Sequence, residues 1–130
     1  MIQIQDWDNP KGYKRILITQ EARQASVQIV TLATREKKER YAGADALIFA
    51  LWVNKPYRAH GVGRALLGMA ESMAKELGCK AVALTWDEHG SPRWVLDWYL
   101  RQGYNGKRFG RGCAMLVKDL EVEADEPQGL

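Results

Sequence analysis

The sequence contains few of the residues that form disulfides or bind metal ions. Its 130 residues include only two cysteines and two histidines. Cys79 and Cys113 lie too far apart along the chain for the paired spacing of a zinc site, and two cysteines make no disulfide framework. We therefore expect two reduced thiols in or near the core, with no metal ion and no cysteine nucleophile.

Long apolar runs are also missing. No stretch approaches the roughly 18 apolar residues that suggest a membrane span, and no basic-then-apolar leader begins at Met1. We predict a cytoplasmic protein that does not enter the membrane. The length predicts a single domain over residues 1–120.

Basic residues are absent after Lys118. Residues 121–130 form an acidic tail that we expect to be disordered. The formal charge of +3 for the whole chain becomes +8 for residues 1–118. A basic body favours a polyanionic partner, which could be a phosphate-bearing ligand, an RNA or an anionic lipid, so charge alone does not choose among them.

Hydrophobic patterning predicts a mixed α/β fold. Apolar segments rich in β-type residues predict strands at 1–5, 13–20, 26–34, 46–53, 80–86, 104–109 and 113–120. The 46–53 segment lacks alternation, which is typical of a strand covered on both faces. The charged residues 35–40 are predicted to be a solvated connection or a strand extension, because Glu36 and Glu39 interrupt the basic run and no aromatic residue lies within it.

Two segments have helical character. Residues 64–77 repeat apolar side chains every three or four positions, with Glu71 and Lys75 as a favourable pair one turn apart. The second helix is predicted to begin at Ser91-Pro92 and to end at Gly103. Trp94 and Trp98 on this short helix predict contacts on more than one side.

A glycine loop joins the 46–53 strand to the first helix. Its pattern is Arg58-x-x-Gly61-x-Gly63, and the N–H groups of the helical turn that follows can bind an anion. A P-loop is excluded because Gly63 is not followed by Lys-Ser/Thr. A dinucleotide fingerprint is disfavoured because Leu66 stands where the third glycine belongs.

A second pattern, Tyr99-x-x-x-Gly103-Tyr104, ends the second helix. The two patterns, in this order and separated by a helix and a strand, resemble the GCN5-related N-acetyltransferases. The resemblance spans about residues 13–120. It implies N-terminal antiparallel strands, then strand, loop, helix, strand and helix, and then C-terminal strands.

The resemblance implies acetyl-CoA as co-substrate and an unknown amine as acceptor, with direct attack of the amine in a ternary complex. Tyr99 would protonate or hydrogen-bond the leaving thiolate. The chain around the loop would bind the pyrophosphate and the pantetheine arm; these cofactor-binding residues are Leu51, Trp52, Val53, Arg58, Ala59, His60, Gly61, Val62, Gly63 and Arg64.

The sequence departs from the family pattern in three places. The two helices that usually separate the first two strands, and wall the acceptor site, are missing or reduced to a turn. Pro92 occupies a position where the family often has a cofactor-binding asparagine. The 46–53 strand also lacks the glutamate that commonly serves as general base.

The sequence therefore does not identify the general base. The candidates are Asp87, Glu88, His89, Asp45 and a water chain, whereas His60 in the loop is expected to face solvent or phosphate. One alternative function is a CoA-binding regulatory or interaction module that does not turn over. An RNA-binding domain is a weaker alternative because no nucleic-acid motif is present. The sequence does not determine whether the chain forms a homodimer.

Overall fold

A mixed seven-stranded sheet dominates the computed structural model, which describes residues 2–120. The predicted tail, residues 121–130, lies outside the described residues. The strands are β1 (Ile2–Asp8), β2 (Lys14–Gln20), β3 (Ala25–Thr31), β4 (Ala46–Val53), β5 (Ala81–Asp87), β6 (Asn105–Gly110) and β7 (Cys113–Asp119). The α-helices are α1 (Arg35–Arg40), α2 (Val62–Glu76) and α3 (Arg93–Arg101). These elements confirm the predicted α/β class.

The strand order is β1-β2-β3-β4-β5-β7-β6. Neighbouring strands are antiparallel except β4 and β5, which are parallel and connected through α2. Antiparallel strands can be joined by short turns, whereas a parallel pair needs a crossover. The predicted strand-helix-strand unit at residues 46–86 supplies that crossover.

The main core lies between the sheet and the pair of helices α2 and α3. Alternate residues of β2 and β3 point to this face because side chains alternate along a strand. Their buried members are Ile16, Ile18, Ala25, Val27 and Ile29. Leu66, Leu67, Ala70 and Ala74 form the buried stripe of α2 that joins the same cluster. The other face carries a smaller cluster of Ala44, Ala83 and Val117, against which Tyr41 and Leu47 pack.

The prediction for residues 35–40 was wrong, because this segment is the helix α1. Thr34 caps it by accepting a hydrogen bond from the Lys37 N–H at 3.2 Å. Two ion pairs join residues one turn apart: Arg35 with Glu39, and Arg40 with Glu36. The distance between nitrogen and oxygen is 3.2 Å in each. Since α1 buries no residue, it has no apolar stripe from which a helix could be predicted.

Several predicted boundaries also shift. β1 continues past its predicted end at residue 5 as far as Asp8, which pairs with Lys14 of β2. β3 ends at Thr31 rather than at residue 34. Pro92, not Ser91, is the N-cap residue of α3, and no side chain from the described part of the chain caps this helix. Trp94 is 58% exposed, so α3 is not packed on the side of that residue.

The prediction that β4 is covered on both faces was wrong for the second half of the strand. Ala46 and Ile48 are buried, but Ala50 and Trp52 are exposed. The cause is tertiary: β4 pairs with β5 only at Ala46–Val82 and Leu47–Ala83. Beyond Leu47 the two strands diverge, and the second half of β4 borders a gap.

Candidate functional site

The gap between β4 and β5 is widened by an irregularity in β4. The register between β3 and β4 shifts between Ser26 and Gln28, opposite Trp52 and Phe49. Ala50 has φ of 54°, in the left-handed region that residues with a Cβ rarely adopt. This bulge turns the end of β4 away from β5. The backbone of β4 on the β5 side therefore lacks a strand partner after Leu47, within the part of the chain that the structure describes.

A cavity of about 110 Å³ fills the divergence. β4 contributes residues 48–51, α2 contributes Leu67, β5 contributes Leu84 and Thr85, and α3 contributes Tyr99. Apart from the hydroxyls of Thr85 and Tyr99, the side chains of this lining are apolar. The structure thus brings Leu51 and Tyr99, which were predicted to bind the cofactor and to protonate the thiolate, to the same cavity.

Tyr99 is held by aromatic neighbours. Its ring centroid lies 5.4 Å from that of Trp98 and 6.1 Å from that of Tyr104, in tilted and edge-on arrangements. Burial raises the pKa of the Tyr99 phenol above its ordinary value, so the phenol keeps its proton at neutral pH. Among residues 2–120, the hydroxyl has no hydrogen-bond partner, and it is available to donate to a group in the cavity.

The glycine loop ends in an uncapped helix. Gly61 has φ of 80° and precedes the first residue of α2, and no side chain within the described residues caps the helix. The first bond of this turn joins the Ala65 N–H to the Gly61 carbonyl at 3.0 Å. The N–H groups of Val62, Gly63 and Arg64 are therefore free to bind an anion at the positive end of the helix dipole.

Arg58 turns its side chain back onto β4. Its Nε donates to the Val53 carbonyl at 2.8 Å, and its guanidinium lies 4.8 Å from the centre of the Trp52 ring. These contacts tie the loop to the end of the strand. Ala59 has φ of 66°, and the exposed His60 follows it. Arg58 thus contacts the strand that leads into the loop, although the residue as a whole is exposed.

The candidate bases are spread over two ends of the sheet. Asp45 lies just before β4, at the opposite end from the bulge, and its Oδ2 accepts the Lys80 N–H at 2.7 Å. Asp87, Glu88 and His89 follow Thr85 at the end of β5, where Asp87 Oδ1 accepts the His89 N–H at 2.7 Å. None of the four lines the cavity.

Behind Tyr99 lies a polar network that the sequence analysis missed. The Tyr104 hydroxyl donates to Glu71 Oε2 at 2.8 Å, and the Lys118 ammonium lies 3.0 Å from Glu71 Oε1. Glu71 was predicted to pair with Lys75, but it bonds to β7 and to the residue after Gly103 instead. A carboxylate within the otherwise apolar stripe of α2 is the signal that could have revealed this network.

Two features are absent from residues 2–120. No group of three or more histidine, cysteine or acidic side chains is placed to hold a metal ion. None of the helices described is long and apolar enough to cross a membrane.

Solved structures share the fold at low sequence identity. The ribosomal-protein-S18-alanine N-acetyltransferase of Escherichia coli has a TM-score of 0.61 and 14% identity, with 99% of this chain and 100% of that chain covered. PaiA N-acetyltransferase of Thermoplasma acidophilum, solved with coenzyme A, has a TM-score of 0.61 and 15% identity, with 82% of this chain and 60% of that chain covered. A GNAT acetyltransferase of Listeria monocytogenes has a TM-score of 0.61 and 17% identity, with 82% of this chain and 64% of that chain covered.

Among curated proteins, none matches the chain. The family model for the acetyltransferase (GNAT) family matches residues 12–104, which include the glycine loop, α2, the divergent strands and Tyr99. Since that match covers well over half of the sequence and the fold agrees, the chain belongs to the GNAT acetyltransferase family.

Proposed function

We propose that this protein transfers an acetyl or similarly small acyl group from CoA to an amine. One observation carries the proposal: the uncapped N-terminus of α2, the unpaired edge of β4 and the cavity beside Tyr99 are contiguous. An anion site, an extended-chain site and a small apolar cavity in this order match the diphosphate, the pantetheine arm and the acyl group of an acyl-CoA.

The backbone supplies most of the donor site. The N–H groups of Val62, Gly63 and Arg64 would hold the diphosphate. Residues 51–53 would pair with the amide groups of pantetheine as with an added strand, since no strand of the described chain pairs with β4 on its β5 side beyond Leu47. Arg58 would fix the loop against β4 through the bond from its Nε to the Val53 carbonyl.

The thioester of acetyl-CoA brings an activated acyl group, so the protein has mainly to position the acceptor and manage protons. Tyr99 holds its proton at neutral pH because burial raises its pKa. Its hydroxyl borders the cavity and can give a hydrogen bond or a proton to the departing sulfur. We assign to Tyr99 the role of general acid.

We assign removal of the amine proton to water on the open side of the cavity. Asp87 stands two residues after Thr85 on β5, on the same face of the strand. Its carboxylate, with Glu88 and His89 beside it, can receive the proton from that water. Asp45 has no such role in the proposal because its carboxylate is bonded at the other end of β4.

A second candidate function is a CoA-binding module without turnover. The observation that favours it is the lining of the cavity, which contains no carboxylate and no imidazole. Tyr99 favours the enzyme instead, because a half-buried hydroxyl without a partner among residues 2–120 is not needed for a binding role.

The test combines binding and turnover. Mass spectrometry of the purified protein under native conditions should detect bound CoA. A screen of an amine library with acetyl-CoA, monitored by release of free thiol, should then identify acceptors that raise the rate above the hydrolysis background. Tight CoA binding without amine-dependent thiol release would favour the module, and the absence of any CoA binding would contradict both.

A further inference from the structure

The cavity beside Tyr99 has a closed side and an open side. Its three fully buried lining residues are Ile48 and Leu67, each 2% exposed, and Leu84, 3% exposed. They come from three different elements and belong to the main core. Ala50 and Thr85, by contrast, are exposed. A ligand that enters from the open side therefore meets a wall of three aliphatic side chains.

The volume of the cavity indicates how large a group fits against that wall. An apolar cavity of about 150 Å³ binds benzene, which has six heavy atoms. In the same proportion, the cavity of about 110 Å³ holds roughly four heavy atoms. An acetyl thioester places four heavy atoms at its reactive end: the sulfur, the carbonyl carbon and oxygen, and the methyl group.

The wall cannot easily retreat to admit a longer chain. Protein cores are close-packed, and their side chains yield little to added methylene groups. Leu67 and Leu84 pack within the cluster that also contains the buried residues of β2 and β3. The closed side is thus continuous with the core, and a movement of the wall would disturb the packing of α2 on the sheet.

We infer that Ile48, Leu67 and Leu84 restrict the donor to acetyl-CoA and reject acyl chains of four or more carbons. The inference rests on the proposed function and adds the length of the acyl group. A single excess methylene in an apolar pocket changes discrimination by about 10–200-fold. Butyryl-CoA, with two additional methylenes, should therefore bind at least about tenfold more weakly than acetyl-CoA.

The chain offers a closely matched pair of variants. Leu67→Ala removes three carbon atoms from the wall, which is enough room for the two extra carbons of a butyryl group. Leu66→Ala removes the same atoms from the neighbouring position of α2, where Leu66 is 1% exposed and does not line the cavity. Both variants lose core packing, so the pair separates an effect on the cavity from a general loss of stability.

The experiment measures dissociation constants of CoA, acetyl-CoA and butyryl-CoA by calorimetry for the parent and both variants. We expect the parent to prefer acetyl-CoA over butyryl-CoA. Leu67→Ala should reduce that preference by about tenfold, and Leu66→Ala should leave it unchanged. If the alanine variants do not fold, Leu67→Val and Leu66→Val provide the same comparison with a smaller loss of core volume.

Two results would overturn the inference alone: equal binding of acetyl-CoA and butyryl-CoA by the parent, or an equal change in preference for the two variants. In both cases CoA itself would still bind, and the proposed function would stand. Failure of the parent to bind any of the three ligands would instead overturn the proposed function and the inference with it.

Discussion

Tyr99 is the residue on which the chemistry of the proposal depends. Its phenol borders the cavity, and its ring is fixed by Trp98 and Tyr104. Tyr104 is a useful contrast because its hydroxyl is also buried but donates to Glu71 outside the cavity. The Tyr99 hydroxyl is thus available to a ligand, whereas the Tyr104 hydroxyl stabilises the fold.

We predict that Tyr99→Phe lowers kcat by about 10²–10⁴-fold, the usual effect of losing a general acid, and changes acetyl-CoA affinity little. Tyr104→Phe should instead cost about 1–3 kcal/mol of unfolding free energy, because it removes a hydrogen bond to a carboxylate. Steady-state kinetics and thermal unfolding of both variants test this. Unchanged turnover in Tyr99→Phe with reduced stability would show that Tyr99 only packs.

The pH dependence of turnover follows from the same environment. Burial raises the pKa of Tyr99 above its ordinary value of about 10, so its acid form persists at neutral and mildly alkaline pH. We therefore expect no loss of kcat from titration of Tyr99 below about pH 10. A decline between about pH 7 and 9 that disappears in Tyr99→Phe would contradict this expectation.

Asp45 provides a prediction about stability. Burial alone would raise the pKa of its carboxyl, but hydrogen bonds from the Lys80 and Ala81 N–H groups and the Lys38 ammonium outweigh burial and lower the pKa. A lowered pKa in the folded state adds stability above the ordinary aspartate pKa of about 4, and that stability is lost as pH falls through the folded-state pKa.

Asp45→Asn should therefore have a lower Tm than the parent at about pH 7. The difference in Tm between the two proteins should be smaller at about pH 3. It should leave turnover intact, because the carboxylate lies outside the cavity. Asp8, whose side chain is 81% exposed, is the control, and Asp8→Asn should change Tm little. A large loss of kcat with unchanged Tm in Asp45→Asn would return Asp45 to the candidate bases.

At the scale of elements, the junction of β4 and α2 holds the two glycines of the loop pattern for different reasons. Gly61 has φ of 80°, which a residue with a Cβ adopts only at a cost of about 1–2 kcal/mol. At Gly63, φ is not positive, and an added Cβ would lie 3.6 Å from Val53 Cγ2 and 3.9 Å from the Trp98 ring, in ordinary contact. Gly63 thus tolerates a methyl group in the fold.

We predict that Gly63→Ala folds normally but binds acetyl-CoA roughly tenfold or more weakly, because the methyl group enters the space between Val53 and Trp98 beside the free N–H groups. Gly68→Ala is the control on the same helix: an added Cβ meets nothing within 4 Å. It should stabilise α2 by up to about 1 kcal/mol without changing affinity. Equal affinities for the parent and both variants, measured by calorimetry, would place the cofactor elsewhere.

The elements that sequence reasoning predicted are those whose signals are local. The strand, glycine loop and apolar stripe leading through Leu66 to Gly78 lie within one continuous segment, and a glycine ends each of the two predicted helices. α1 was missed because its cap and ion pairs stabilise it without any buried side chain. Helices of this kind carry no apolar periodicity from which to predict them.

The features that could not be predicted depend on how elements meet. The apolar composition of β4 is typical of a covered strand, yet Trp52 is exposed because β5 diverges after Leu47. Trp94 is exposed for a similar reason, since no element of residues 2–120 covers it. The cavity itself arises from the divergence and from the bulge at Ala50, which leave no mark on local sequence.

For the molecule as a whole, the site lies where the direction of strand pairing changes. β4 and β5 are the parallel pair in a sheet whose other neighbours, among residues 2–120, are antiparallel. Loops at the carboxyl ends of adjacent parallel strands commonly form ligand sites in α/β proteins. Both the glycine loop and the segment with Asp87 follow such ends, so the topology places the glycine loop and the segment with Asp87 at the same end of the two parallel strands.

The connection between β1 and β2 affects the acceptor side. It is a short turn closed by a hydrogen bond from the Gly12 N–H to the Asn9 carbonyl at 2.8 Å, in place of the two helices usual in the family. Arg15, between the rings of Trp7 and Phe49 at 5.8 Å from each, lies on the sheet near this turn. The proposed amine acceptor is therefore not enclosed by helices between these two strands.

The most direct test of the account is the location of acetyl-CoA, and a chain of 130 residues is small enough to map it by nuclear magnetic resonance. Titration of ¹⁵N-labelled protein with acetyl-CoA should give saturable shifts. We expect the largest shifts at the amides of Val62, Gly63 and Arg64 and along residues 48–53, with little change in β1 and α1. Saturable shifts centred on α1, or no shifts at these amides, would contradict the proposed acetyl-CoA site.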